Sequence, residues 1–86
     1  MKIEVRRPTE AERKTAAAWP VWTKEASTFP WHYDDRETCL ILEGEVLIQA
    51  GEDTVSLRDG DLVVFPQGLD CTWDIKKAVR KRYFFG

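Results

Sequence analysis

The side chains with chemistry to offer fall into a few short stretches. Trp31, His32 and Tyr33 stand together, and Glu37 and Cys39 follow two positions apart. Cys71 and Trp73 repeat that spacing, with Lys81 beyond them. In an extended chain, residues two apart share a face. Glu37, Cys39 and Ile41 therefore project one way and Thr38, Leu40 and Leu42 the other. By the same alternation Cys71, Trp73 and Ile75 oppose polar Thr72 and Asp74, which directs Cys71 and Trp73 inward. A carboxylate taken out of water suits general acid–base work or a cationic ligand group. Alternatively, Glu37 is satisfied by backbone amides or by a buried base such as Lys81. Tyr33 offers a phenol as donor or acid, or serves as a wall residue with a structural hydrogen bond. Trp31 and Trp73 form a flat floor for a planar ligand, or fill a core. Cys71 needs a basic neighbour to act as nucleophile or ligand. None is local, so Cys71 and Cys39 are expected as small buried thiols. A disulfide between them requires adjoining strands. His32 is the one histidine of the chain, and a lone imidazole belongs more often to a surface or edge than to a ligand set.

Short strands must position these groups. Turn chemistry recurs at 33–36, 43–45, 50–53, 58–61, 66–68 and 75–77, between runs rich in Val, Leu, Ile, Phe, Trp and Tyr. That cadence predicts an all-β sandwich or barrel. One helix precedes it: Thr9 can cap, Glu12 completes a capping box, and Trp19-Pro20 ends the run. Its expected role is to cover one end or face of the barrel, with no part in catalysis. Late in the chain, Val79, Lys81 and Tyr83 alternate with Arg80, Arg82 and Phe84. Neither set is cleanly apolar, so a basic residue is expected to reach an interior pocket or a subunit interface.

Eighty-six residues predict one domain, 1–86, in which only about 60–65% of the unfolded surface is buried. A composition 43% hydrophobic and 33% charged is that of an ordinary soluble globular chain. Four tryptophans, four phenylalanines and two tyrosines let so short a chain fill a core, because each buries much area. The net charge of −2 argues against a nucleic-acid partner, since phosphate binding wants a basic surface. Lys76, Lys77, Arg80, Lys81 and Arg82 do cluster, but apolar residues interrupt them at strand spacing. A solvated face with a few salt bridges is the expectation there. No apolar run reaches membrane-spanning length, so no membrane partner is expected. Residues 1–7 lack the apolar stretch of a signal peptide, and the cytoplasm is the expected location.

The most specific stretches are Glu37-Thr38-Cys39-x-x-Leu42-Glu43-Gly44, Gly60-Asp61-Leu62-Val63-x-Phe65-Pro66-x-Gly68-Leu69-x-Cys71-x-Trp73, and Val79-Arg80-Lys81-x-Tyr83. Together they resemble the paired motifs of the cupins. Over about 19–83 the chain is similar to small single-domain cupins related to the ureidoglycine aminohydrolase domain. The resemblance implies a single jelly-roll β-barrel with a short N-terminal helix. It also implies a pocket lined by Trp31, Tyr33, Glu37, Cys39, Cys71, Trp73 and Lys81. Cupins commonly hold a metal through two histidines and a glutamate of the first motif and a third histidine of the second. Here Glu37 and Gly44 match. The two histidine positions fall on Trp31 and Tyr33, or on Pro30 and His32. The first register leaves a three-residue turn and keeps proline out of a ligand position. The third histidine position is Cys71. A resident Zn, Mn, Fe or Ni is therefore not the expectation; if one is held, its ligands are Glu37, Cys71 and His32, a set suited to Zn²⁺. The expected function is binding of a small polar or anionic metabolite in the pocket. The alternative is an enzyme acting on a ureide-, sugar- or nucleoside-like substrate, with Glu37 and Tyr33 as an acid–base pair or Glu37 and Cys71 as metal ligands. A homodimer joined through edge strands is expected as well.

Overall fold

The computed structural model describes residues 1–86. Apolar alternation broken by turn chemistry yields β1 (Glu4–Arg6), α1 (Glu10–Ala16), β2 (Val21–Lys24), β3 (Ser27–His32), β4 (Glu37–Ala50), β5 (Asp53–Arg58), β6 (Leu62–Phe65) and β7 (Asp70–Phe85). Every ladder is antiparallel. The hydrogen-bonded order is β1-β6-β4-β7-β2, with β5 added to β4 and β3 to β7. The path does not return on itself. Of the jelly-roll barrel expected from the sequence, the pairing shows a mostly β, wholly antiparallel sheet that bends at one place.

That bend lies in the two long strands. Residues 37–43 of β4 run between β6 and the C-terminal part of β7, whereas 45–50 run between β5 and the N-terminal part of β7. β2 extends the first half-sheet and β3 the second. The register between β4 and β7 shifts at Ile41/Glu43, Glu43/Glu45 and Glu45/Val46, the mark of bulges that turn a strand without ending it. Gly44 makes this possible. Its φ is +124°, and a Cβ there would lie 2.7 Å from the Ala78 carbonyl oxygen and 2.8 Å from the Val79 Cα, so only glycine fits. Two expected turns are corrected by this arrangement. Residues 43–45 and 75–77 do not end strands but form the two sides of the bend, with β4 and β7 continuous through it.

The bend folds both halves around one core. Cys39, Ile41, Val63, Phe65 and Val79 of one half pack with Val46, Ile48, Leu57, Trp73 and Ile75 of the other. Helix α1 starts as its residues predict: Thr9 accepts from the Glu12 amide and Glu12 reaches back to the Thr9 amide, a cap worth about 1 kcal/mol. Its Ala16 is buried with Leu40 and Leu62, with Trp19 and Leu42 alongside. The helix thus covers the outer face of the first half-sheet. The basic run of β7 resolves into separate contacts. Lys76 pairs with Asp74 at 2.7 Å, Lys77 with Glu45 at 3.6 Å and Arg80 with Glu43 at 3.9 Å. Arg82 donates to the Trp19 carbonyl at 2.8 Å. Lys81 alone of this run is buried. No helix is long and apolar enough to cross a membrane.

Candidate ligand pocket

Pairing across β2, β3, β4 and β7 places the inward faces of four strands around one cavity. Trp22 opposes Lys81, and Phe29 opposes Trp73. Tyr33 follows β3 directly; its amide donates to the Leu69 carbonyl at 2.9 Å and its carbonyl accepts from the Gly68 amide at 2.7 Å. The cavity is about 210 Å³ and is walled by Trp22, Phe29, Trp31, Tyr33, Glu37, Trp73, Lys81, Tyr83 and Phe85.

Its polar feature is an ion pair. Lys81 Nζ donates to Glu37 Oε2 at 2.7 Å, and the two side chains are only 8% and 3% exposed. The same ammonium lies 4.6 Å from the centre of the Trp73 ring and 4.9 Å from that of Trp22. Cation–π attraction to the two indoles, strongest where water is excluded, adds to the carboxylate contact. Lys81 is the sole hydrogen-bond partner of the Glu37 side chain, so one carboxylate oxygen is unpaired.

The aromatic walls are interlocked. Phe29 lies nearly parallel to Trp73 (9°, 6.2 Å), Tyr33 is stacked on Phe65 (11°, 4.8 Å), and Trp22 meets Trp73 edge-on. Trp31 stands at the mouth, edge-on to Tyr33 and about half exposed. The Tyr33 hydroxyl is buried and has no hydrogen-bond partner. Burial first, and then the nearby Glu37 charge, push the phenol well above its ordinary range. The Glu37 carboxylate stands near enough to act on the phenol through a close polar contact as well as its charge. That contact falls short of hydrogen-bond geometry. An unsatisfied buried hydroxyl costs about 1–3 kcal/mol.

Of the pocket residues named from sequence, Trp31, Tyr33, Glu37, Trp73 and Lys81 line the cavity and Cys39 and Cys71 do not. Cys39 is sealed in the core and Cys71 is buried beside a shallow outer groove next to Trp31 and His32; a thiol is too short to reach past the aromatic layer. Both are free thiols. Burial pushes Cys39 up to about 12. Burial and then the Asp70 charge push Cys71 up to about 11, so neither is a thiolate near neutrality. Trp22, Phe29, Tyr83 and Phe85 also line the cavity and were missed. Continuing the alternation from Tyr33 back to Phe29, and from Lys81 on to Phe85, would have found three of them.

His32 points to the opposite face. Its Nδ1 lies 2.7 Å from Asp70 Oδ1 and its Nε2 3.6 Å from Asp34 Oδ1, with the side chain 53% exposed. The set Glu37, Cys71 and His32 is therefore not assembled, and no group of three or more His, Cys, Asp or Glu side chains converges in a metal-binding arrangement. The residues facing the cavity at the cupin histidine positions are Trp31 and Tyr33. The one carboxylate there already has an ammonium at 2.7 Å. A divalent ion would face that fixed positive charge with a single carboxylate and no imidazole, so these residues do not fit a resident metal.

A model of the EutQ-like cupin domain matches residues 11–83. A DUF861 family protein from Thermotoga maritima is 40% identical, with a TM-score of 0.94 over 99% of this chain and 100% of its own. A putative ethanolamine utilization protein Q from Salmonella typhimurium is 25% identical, with a TM-score of 0.70 over 76% of this chain and 53% of its own. The EutQ protein of Clostridium difficile is 22% identical at a TM-score of 0.70, covering 76% and 52%. This chain thus spans about half the length of either EutQ protein. No curated protein matches. With the motif glycines, the bent antiparallel sheet and the glutamate-bearing pocket all in place, the match over 11–83 shows that this chain belongs to the EutQ-like cupin domain family.

Proposed function

We propose that this cupin domain binds a small molecule in the aromatic cavity and does so without a metal. The observation that carries the reading is the Tyr33 hydroxyl, buried at the cavity wall with no partner. Buried polar groups are nearly always hydrogen-bonded, and a ligand entering past Trp31 would supply what this one lacks. Glu37 and Lys81 add an acceptor and a donor at the same wall. Few polar groups converging in an apolar cavity is the usual make-up of a small-molecule site.

A catalytic reading ranks second. Glu37 would take a proton and Tyr33 would give one to a ureide-, sugar- or nucleoside-like substrate. Burial holds the Tyr33 phenol so firmly protonated that it donates a hydrogen bond far better than a proton. Lys81 also occupies one oxygen of the proposed base.

Five lining residues are tyrosine or tryptophan, two of them beside the ammonium, so intrinsic fluorescence reports occupancy. Small single-ring compounds titrated with and without chelator should give saturable quenching that chelator leaves unchanged. Binding that chelator abolishes, or no saturating ligand in the series, would overturn the proposal.

A further inference from the structure

We infer that the cavity selects an uncharged planar ring carrying a carboxamide or lactam edge, and rejects the corresponding acid and amine. This deepens the binding reading above and rests on it. Size sets the first limit. An engineered apolar cavity of about 150 Å³ holds benzene, so about 210 Å³ admits one ring with a small substituent and little more. Shape sets the second. The lining is mostly aromatic rings, with Phe29 stacked on Trp73 and Trp22 edge-on to it, and flat ring faces favour a flat body against them.

Charge decides the rest. The Glu37–Lys81 pair is neutral as a whole, and its charges are 2.7 Å apart. An anionic ligand reaching for Lys81 would lie against the Glu37 carboxylate, and a cationic one reaching for Glu37 would lie against the ammonium. Away from water such like-charge approaches are strongly unfavourable. A neutral group meets neither. The hydrogen-bond inventory points the same way. Lys81 has donors beyond the one given to Glu37, Glu37 has an unpaired acceptor oxygen, and Tyr33 has an unpaired hydroxyl. A carboxamide presents a carbonyl acceptor and an N–H donor on adjacent atoms, one for each side of the pair.

The test is a matched series on the intact protein: benzamide, benzoate, benzylamine and toluene, each titrated by protein-observed NMR. Benzamide should bind about tenfold or more tightly than the other three. If benzoate or benzylamine equals or exceeds benzamide, the charge argument fails while the pocket reading survives. If toluene equals benzamide, the hydrogen-bonding part fails. If none of the four binds, both readings fall. Two variants sharpen the result. Glu37→Gln leaves Lys81 as a net positive charge and should turn the preference toward benzoate; an unchanged preference for benzamide would overturn the role given to the pair. Tyr33→Phe keeps the ring and removes only the hydroxyl. It should weaken benzamide several-fold with toluene unaffected, and an unchanged benzamide affinity would remove Tyr33 from the site.

Discussion

Two side-chain contacts of the same length, each to a carboxylate, hang from β7 on opposite faces. Lys81 meets Glu37 at 2.7 Å inside, and Asp70 meets His32 at 2.7 Å outside. Distance therefore does not separate them, but burial does. The inner side chains are 8% and 3% exposed and the outer ones 53% and 83%. Water screens the outer pair to a contribution of about 0–1 kcal/mol. The inner pair has lost its water, so each member depends on the other, and removing one leaves a charge with no compensation. The inner pair belongs to the site and the outer one decorates the surface.

The largest effect should come from breaking the inner pair. Lys81→Met keeps much of the volume but strands Glu37, and should cost about 3–5 kcal/mol in chemical denaturation. Adding Glu37→Gln to Lys81→Met should restore most of that loss. If the single variant is as stable as the parent, the inner pair is no different in kind from the outer one.

Alkaline titration probes the same dry interior. The Cys39 thiol ionises near 9.0 in an unfolded chain and near 12 in the folded protein. Between those values the unfolded state binds fewer protons, so stability is fully present below about pH 9 and falls as pH rises toward about 12. The slope from this thiol approaches about 1.4 kcal/mol per pH unit. Melting temperatures measured from pH 8 upward should decline accordingly, and Cys39→Ala should flatten the decline.

Tyr33→Phe should raise stability by about 1 kcal/mol, because it deletes an unsatisfied buried hydroxyl. A clear loss instead would show that the hydroxyl has a partner in solution. The smallest effect belongs to the outer pair: Asp70→Asn should change stability by less than about 1 kcal/mol, and moderate salt should erase even that.

Period-two alternation and turn glycines make the strands legible, and the spacing of Glu37, Gly44 and Gly60 makes the cupin class legible. The branch they suggest is the ureidoglycine aminohydrolase one, whereas the family that matches is the EutQ-like cupin domain. Alternation and spacing are both local signals. Alternation reports which face a side chain takes but not how deep it reaches. Cys39 and Cys71 were therefore placed on the right face yet credited with lining a cavity that only longer side chains touch. Phe29 and Phe85 lay on the same alternation, and Trp22 is brought in by its pairing with Lys81. That pairing depends on strand order, which no local pattern carries. The bend escapes a local reading for a similar reason. A glycine beside charged residues signals a change of direction, but whether the chain reverses or merely kinks is settled by what pairs across it.

Because β4 and β7 both run unbroken through the kink at Gly44, neither half-sheet can come apart while the other stays whole. The molecule should behave as one cooperative unit, its most protected backbone amides on both sides of the kink exchanging with solvent only through global opening. Two halves joined this way would have to assemble together, in a single event that closes the chain from residue 37 to residue 85, and a slow, all-or-none folding reaction follows from the length of that loop.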